Sequence, residues 1–173
     1  MSIYQRIGQI GSKFIGRPTL FKYGFNLSPM YRRSTGRIID VSEDLLQVRI
    51  KLPLSYKNRN YVNSIFGGSM FASVDPIPMV QLIQLLGSNY VVWDKSAEIF
   101  FKRPAKEHLF AEFKYTENEV AAIKQKVEDH NETEILKTTQ LMNKDGSVVF
   151  CEVKKRIYIA DKIYFKNKRK TKK

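Results

Sequence analysis

The longest apolar and weakly charged stretch of the chain covers residues 60–87, and Asp75 is its only charged residue. Two adjacent glycines, Gly67 and Gly68, come before a run in which apolar side chains fill most positions. A helix that is apolar on nearly all sides is stable only inside a protein. The stretch therefore predicts a long central helix, at about 67–87, that other elements must cover.

Outside this stretch, apolar and polar residues alternate with a period of two, which is typical of half-buried strands. One clear example places Val48, Ile50 and Leu52 on one face, with polar residues between them. The predicted strands are residues 36–41, 45–52, 91–102, 109–116, 133–142 and 147–160.

A short helix is predicted at 118–129, since Thr116 and Glu119 have the spacing of a capping box. The Lys-Asp-Gly sequence at 144–146 predicts a hairpin turn, because glycine readily adopts a positive φ. Strands that follow one another in pairs favour antiparallel order. The whole pattern predicts an α+β fold, in which about six antiparallel strands wrap around the long central helix.

The two ends of the chain are predicted to lie outside the sheet. Residues 1–15 have apolar side chains at helical spacing and predict a short, weak helix, which the following Gly-Arg-Pro sequence would end. Residues 19–33 predict a loop or a second short helix. The chain is then a single domain over 1–165, with 1–33 as its lead-in and 166–173 as a basic, disordered tail.

The composition is that of an ordinary globular domain. Of the 173 residues, 43% are hydrophobic and 12% aromatic, which argues against general disorder. The single cysteine, Cys151, excludes an internal disulfide and is predicted to be buried, and two histidines without ligand spacing predict no metal. No stretch reaches the roughly 20 uncharged apolar residues of a membrane span, and no signal peptide is evident. We expect a cytoplasmic protein.

The chain is strongly basic. It has 30 Lys and Arg against 17 Asp and Glu, a formal charge of +13, and much of the excess lies in residues 166–173. Such a block is typical of a solvated tail, and it would also attract nucleic acid or another polyanion loosely. Because no RNA-binding aromatic signature or recognition-helix motif accompanies it, we expect no specific nucleic-acid binding.

The glycine pair at the start of the predicted helix allows two interpretations. Backbone N–H groups in the first turn of a helix have no internal partners, and the helix dipole adds partial positive charge there. These groups can polarise a carbonyl and hold an oxyanion, as in acyl transfer. Close packing between a loop and a helix would equally require Gly67 and Gly68.

Asp75 also allows two interpretations. It lies seven residues after Gly68, on nearly the same helix face, among apolar neighbours that make an unpaired carboxylate unfavourable. It could therefore act as a general base or a nucleophile. Alternatively, Asp75 could end one helical piece and cap the next, with Pro76 at the first helical position.

At these residues the chain resembles the hot-dog fold acyl-CoA thioesterases, especially the phenylacetate-pathway type. Their signature is an asparagine, five residues, then His-Gly-Gly, with an acid seven residues past the second glycine. Here Asn60 is followed, after five residues, by Phe66, Gly67 and Gly68, and Asp75 has the position of the acid.

The resemblance extends beyond this signature. AEIFFKRPA, at 97–105, resembles the family's strand that ends in an apolar-x-Pro step, and the order of elements agrees over 37–160. The chain resembles most closely an uncharacterised, thioesterase-like branch. The resemblance implies a hot-dog fold, a homodimer or a dimer of dimers, and sites at the subunit interface.

The resemblance also implies roles for three residues in the hydrolysis of an acyl-CoA or acyl-carrier-protein thioester. Gly67 would offer its N–H to the thioester carbonyl, Asp75 would activate water or attack directly, and Asn60 would orient a group in the site. Coenzyme A would enter as part of the substrate, and no further cofactor is implied.

Five further residues are expected to contact the substrate. Phe66 replaces the family's histidine with apolar bulk beside Gly68. Asp94 falls near the position where some members place a hydroxyl residue. Lys102 and Arg103 lie on the expected mouth, where they would attract the phosphates of coenzyme A.

Two other functions are consistent with the sequence. The loss of the histidine at Phe66 and the prolines after Asp75 favour a non-catalytic protein that binds acyl-CoA or fatty-acyl ligands. A hot-dog hydratase would need a histidine paired with an acid, whereas His108 and His130 lie away from the central stretch.

Overall fold

A computed structural model of the protein describes residues 16–171. The helices are α1 (Arg17–Leu27), α2 (Pro29–Arg33), α3 (Gly67–Val74), α4 (Pro76–Leu86), α5 (Glu117–His130) and α6 (Lys162–Thr171). The strands are β1 (Arg37–Val41), β2 (Gln47–Leu52), β3 (Tyr90–Phe101), β4 (Leu109–Lys114), β5 (Glu132–Met142) and β6 (Val149–Asp161).

The six strands form one antiparallel sheet in the order β1-β2-β4-β5-β6-β3. β3 and β1 are the two edges, so β3 pairs with β6 on one side only. Thr116 accepts the predicted capping hydrogen bond from the Glu119 N–H, and Gly146 adopts the predicted positive φ of 77°. The predicted α+β fold, a six-stranded sheet around a central helix, is confirmed.

The central helix is present, with one interruption. α3 and α4 meet at Asp75, whose backbone stays helical with φ −50° and ψ −53°. Pro76 has no N–H to donate, so the hydrogen-bond ladder breaks there while the axis continues. The combined helix, Gly67–Leu86, is long and apolar enough to cross a membrane by length and composition alone, but half of it is buried inside the fold.

Two clusters of buried apolar side chains fill the space between the helix and the sheet. In the larger cluster, Val74 and Ile77 of the helix pack with Val153 of β6. In the smaller one, Leu82 packs with Ile157, also of β6. Between Val153 and Ile157 on this strand, the inward position is occupied by a lysine, which marks a polar layer in the core.

The N-terminal predictions are tested only in part. The helix predicted at 1–15 lies outside the described residues. The Gly-Arg-Pro sequence, which was expected to end that helix, contains the start of α1 at Arg17. Pro18 is tolerated in the first turn because its missing N–H would have no partner there. Residues 19–33 are largely helical, in α1 and α2.

The disordered tail predicted from residue 166 is wrong as far as residue 171, because α6 occupies this stretch. Asp161 caps the helix. Its Oδ1 atom accepts hydrogen bonds from the backbone N–H groups of Ile163 and Tyr164, at 2.9 and 2.8 Å. These bonds satisfy two of the donors that a helix start leaves without partners.

Contacts with the sheet hold α6 in place. Phe165 meets the Trp93 ring edge-on, with the ring centroids 5.0 Å apart, and Lys168 bonds the Glu132 carboxylate at 2.6 Å. Both partners are distant in the sequence. The basic residues at 166–173 therefore could not, by themselves, predict a helix that packs on the sheet.

Candidate active site

β6 carries a lysine that is almost completely buried. The inward positions of this strand hold apolar side chains except for Lys155, which exposes only 2% of its surface. Its Nζ atom donates to Asp75 Oδ1 at 2.8 Å and also bonds Asp94 Oδ2 and the backbone carbonyl of Asp75. An ammonium removed from water requires such partners. The structure thus joins two of the predicted site residues through a third that was not predicted.

The geometry of Asp75 argues against the capping interpretation. Although Asp75 precedes α4, its side chain makes no capping hydrogen bond to that helix. Lys155 holds Oδ1 instead, and within residues 16–171 the other carboxylate oxygen has no hydrogen-bond partner. The side chain of Asp75 is 40% exposed, so this oxygen can reach a water molecule or a ligand.

Asp94 is the more enclosed of the two carboxylates. Its side chain is 24% exposed, and its Oδ1 atom is buried without a hydrogen-bond partner in the described chain. Burial raises the pKa of Asp94 above its ordinary value, although Lys155 acts in the opposite direction. The structure therefore places Asp94 behind Lys155, in a position to hold the ammonium rather than to meet bulk solvent.

This raised pKa predicts a pH dependence of stability. The folded protein binds a proton at Asp94 more readily than the unfolded chain does, so the stability from this group is fully present below the ordinary pKa of 3.8. It is lost as the pH rises through the raised folded-state pKa. We expect Asp94→Asn to become more stable relative to the wild type as the pH rises above 3.8 through the raised pKa of Asp94, measured by urea denaturation over a pH series. A difference that falls with pH would contradict the raised pKa.

Two phenyl rings explain the glycine pair in part. A Cβ atom on Gly67 would lie 2.7 Å from the Phe101 ring, and one on Gly68 would lie 2.3 Å from the Phe66 ring. Both rings are more than half exposed. The packing interpretation therefore holds at both positions, and Phe66 and Phe101 flank the start of α3 as an open aromatic surface.

The amide groups of Gly67 and Gly68 are available as well. Within residues 16–171 neither N–H has an acceptor, whereas the N–H of the preceding Phe66 donates to the Asn58 carbonyl at 2.8 Å. The start of α3 thus presents two unpaired donors at the positive end of a helix dipole. This geometry also supports the oxyanion interpretation. The two glycines can therefore allow close packing of the rings and also offer their N–H groups to a ligand.

The structure does not bring Gly67 and Asp75 together within one chain. They are eight residues apart on a continuous helical axis, which corresponds to about 12 Å at 1.5 Å per residue. A thioester carbonyl that accepts a hydrogen bond from Gly67 is therefore too far from the Asp75 of the same chain. One chain can supply either group to a given substrate but not both.

Asn60 lies in the loop before α3, and its side chain is used inside that loop. Its Oδ1 atom accepts from the backbone N–H groups of Val62 and Ser64, and its Nδ2 atom donates to the Ser64 hydroxyl at 3.0 Å. These bonds shape the turn that leads to the glycines. The contacts seen for Asn60 support a role in placing Phe66 and Gly67, one step removed from a substrate.

Lys102 and Arg103 line an open cleft of about 430 Å³ with Gln140, Glu152 and residues 147–149. Glu152 and Lys155 are three residues apart on one strand, so alternation turns them to opposite faces of the sheet. The cleft therefore opens on the outer face, away from Asp75. The predicted contact of these two cations with coenzyme A stays a prediction.

Among the described residues, no group of three or more His, Cys, Asp or Glu could hold a metal ion. His108 accepts a hydrogen bond from the Leu54 N–H at 3.0 Å. The cysteine is buried as predicted, and burial raises the pKa of the Cys151 thiol to about 11. The thiol therefore stays protonated at neutral pH and is a poor nucleophile.

The sequence did contain a signal for Lys155. Along β6, Cys151, Val153, Ile157 and Ile159 occupy every second position, and Lys155 occupies the position between them. A charge at an inward position of a strand is unfavourable unless a partner is present. The polar neighbours Lys154 and Arg156 hide the signal, because three basic residues in a row resemble a solvated patch.

An antiparallel sheet wrapped around a glycine-initiated helix that carries an acid defines the hot-dog architecture of thioesterase-like proteins. Solved structures agree. A Pseudomonas aeruginosa protein named a probable thioesterase is 19% identical and has a TM-score of 0.72, covering 82% of this chain and 94% of that one.

Two other solved structures are similar. A Chlorobaculum tepidum protein of unknown function is 15% identical, with a TM-score of 0.64 and coverage of 92% and 94% of the two chains. A Haemophilus influenzae thioesterase is 11% identical, with a TM-score of 0.51 and coverage of 93% and 92%. At these identities the likeness establishes the fold.

A family model described as a domain of unknown function, DUF4442, matches residues 17–159. The chain belongs to this thioesterase-like family. The resemblance to hot-dog thioesterases found in the sequence is thereby confirmed. No curated protein sequence matches the chain.

Proposed function

We propose that the protein hydrolyses an acyl thioester carried by coenzyme A or by an acyl carrier protein. The observation that carries this proposal is the buried Lys155 ammonium, which fixes one oxygen of Asp75 and leaves the other exposed. A carboxylate that is held firmly yet remains accessible suits a general base. In a purely structural ion pair, both partners would more simply be enclosed.

The chemistry follows from three groups. Asp75 accepts a proton from a water molecule, whose oxygen attacks the carbonyl carbon of the thioester. The carbonyl oxygen becomes an oxyanion, which the Gly67 N–H stabilises at the start of α3. The carbon–sulfur bond then breaks, the acid product leaves, and the departing thiolate takes up the proton. Lys155 positions Asp75 and touches no reacting atom.

The separation of Gly67 and Asp75 supports a site built from two copies of the chain. β3 is an edge strand of 12 residues, and most of its side chains are exposed or half-buried. Phe101, near its end, is exposed beside Gly67. An unpaired apolar edge of this kind is a surface for pairing with another strand. Pairing two β3 edges would let Gly67 of one copy face the Asp75 of the other.

This arrangement predicts the result of a mixing experiment. Gly67→Pro removes the N–H at the first helical position, where proline is well tolerated, so activity is expected to fall about 10²–10³-fold. Gly67→Ala adds a similar Cβ atom but keeps the donor, and it is the matched control. Both substitutions need the same small movement of the Phe101 ring.

Mixing Gly67→Pro with an inactive Asp75→Asn chain should restore about a quarter of the wild-type sites, because each mixed dimer contains one intact pair. Subunits are exchanged by partial denaturation and refolding, and thioester hydrolysis is then measured. Activity no greater than the sum of the two separate variants, despite mixed dimers seen by native mass spectrometry, would rule out the shared site.

A non-catalytic acyl-ligand protein is the second candidate, and one observation favours it. Phe66 stands where the related enzymes have a histidine, and its ring covers Gly68 with apolar surface. Such a surface binds an acyl group without assisting its hydrolysis. The open aromatic surface of Phe66 and Phe101 suits both a thioesterase and a binding protein. Only a measurement of thioester hydrolysis distinguishes the two.

Purified protein incubated with a panel of acyl-CoAs separates the two candidates. Release of free thiol above the uncatalysed rate supports the thioesterase. A rise in melting temperature without thiol release supports the binding protein. If neither effect appears with any acyl-CoA or acyl carrier protein, both candidates fail. The cytoplasmic location expected from the sequence fits either one, since both ligands are found there.

A further inference from the structure

The net positive charge of the protein lies in the two ends of the chain. Residues 1–36 contain six Lys or Arg, residues 162–173 contain seven, and neither segment contains Asp or Glu. The stretch between them, 37–161, has 17 basic and 17 acidic residues. The formal +13 therefore belongs entirely to the ends, and the hot-dog domain between them is neutral. Segregated charge of one sign indicates a partner of the opposite sign.

Most of the terminal cations that the structure describes are not neutralised within the fold. In the part of the chain that the structure describes, Lys168 is the one terminal cation that meets a carboxylate, that of Glu132. Arg17, Lys22 and Lys162 donate to neutral backbone carbonyls and keep their net charge. The exposed terminal cations without a side-chain partner among the described residues are Arg32, Arg33, Lys166, Arg169 and Lys170.

Both basic segments reach the same end of the molecule. Arg17, at the start of α1, donates to the Gln84 carbonyl at 2.8 Å, and Lys162, at the start of α6, donates to the Ser88 carbonyl at 2.9 Å. Gln84 and Ser88 are four residues apart, where α4 ends. The first residues of α1 and α6 therefore lie at the same end of the central helix.

Exposed apolar side chains accompany the cations. Tyr23, Leu27 and Met30 are exposed on α1 and α2, and Ile163 is 72% exposed on α6. Nucleic acid offers phosphates that bind cations, but it offers few apolar contacts to exposed aliphatic side chains. An anionic bilayer matches both features, because cations bind its headgroups while aliphatic and aromatic side chains enter the interfacial region.

We propose that α6, with the start of α1 beside it, docks the protein onto an anionic phospholipid membrane. The partner is the bilayer surface itself, and the protein lies on it without crossing it. Lys166, Arg169 and Lys170 contribute the electrostatic attraction from α6, while the exposed Ile163 contributes a shallow apolar contact. The family match ends at residue 159, so α6 lies outside the part of the chain that defines the family.

Vesicle sedimentation of the full chain tests this docking. The protein should sediment with phosphatidylcholine vesicles that contain phosphatidylserine, and not with phosphatidylcholine alone. Lys166→Gln/Arg169→Gln/Lys170→Gln should weaken binding on the order of 100-fold at low salt, at about 1 kcal/mol for each cation. Ile163→Ser should weaken mainly the binding that persists at high salt, since salt screens only the charges.

A matched triple variant separates local charge from total charge. Lys106→Gln/Lys126→Gln/Lys144→Gln removes three exposed lysines from the neutral stretch and changes the net charge equally. It should weaken vesicle binding by about threefold or less, because these lysines belong to the charge-balanced stretch and not to α1 or α6.

Three results would overturn the proposal. They are no sedimentation with phosphatidylserine vesicles, equal losses in the two triple variants, and tighter binding to DNA or RNA than to the vesicles. Circular dichroism of each variant shows that the fold is kept. The measurement does not depend on thioester hydrolysis, so it stands whether or not the protein proves to be an enzyme.

Discussion

Replacing Asp75 with asparagine is expected to lower the rate of thioester hydrolysis by about 10²–10⁴-fold, the usual effect of removing a general base. The asparagine side chain keeps the shape of the aspartate and can still accept a hydrogen bond from Lys155, but it cannot take a proton from water. The rate is measured as thiol release with the best acyl-CoA of a panel. Thermal melting shows whether the variant is folded.

Asp94→Asn is the matched control for this experiment. It also removes one of the two carboxylates that bind Lys155, but it leaves the accessible oxygen of Asp75 in place. We expect it to lose much less activity than Asp75→Asn does. If both variants are equally impaired, the loss of activity comes from the broken ion pair with Lys155 and not from the loss of Asp75 as a general base. Unchanged turnover in Asp75→Asn would remove Asp75 from the mechanism.

The second large effect is expected at Lys155. Replacing it with methionine removes the cation and leaves the Asp94 carboxylate, with its buried Oδ1 atom, without its partner. Breaking a buried pair in this way lowers the free energy of unfolding by roughly 3 kcal/mol, the low end of the usual range because Asp75 is partly solvated. Urea denaturation measures the change.

Two further variants make this result specific. Adding Asp94→Asn to Lys155→Met removes the stranded charge and should recover part of the lost stability. Lys137→Met is the matched single control, because Lys137 pairs directly with Lys155 in the sheet and bonds Glu119, whose side chain is more exposed than that of Asp94. We expect a smaller loss there. Equal losses at the two lysines, or no recovery in the double variant, would contradict a buried ion pair as the cause.

Much of the fold could be predicted because it depends on local periodicity. β2, α5 and β5 each lie within one or two residues of their predicted positions, since alternation and helical spacing are properties of neighbouring residues. The central helix was predicted for the same reason. The start of α1 and the existence of α6 were missed because both depend on contacts with distant residues, such as Gln84 and Glu132.

The candidate site was predicted only in part. Asp75 and Gly67 were found because a lone acid and a glycine pair are conspicuous in an apolar helix. Their separation of about 12 Å along one axis also follows from the sequence, through the rise of a helix. Lys155 was missed because its burial is decided by the strand register, which the neighbouring basic residues conceal.

The sequence by itself determined which segments are helices and strands, which helix is the core, and where the positive charge lies. Only the tertiary structure decided that Asp94 faces Lys155. The register of β3 shifts between Asp94 and Ser96, so Asp94 pairs with Ile157 and Ala97 with Lys155, on the same face of the sheet, although Asp94 and Ala97 are an odd number of positions apart. A bulge of this kind breaks the period of two, and its place depends on pairing with β6. No pattern within β3 alone could fix it.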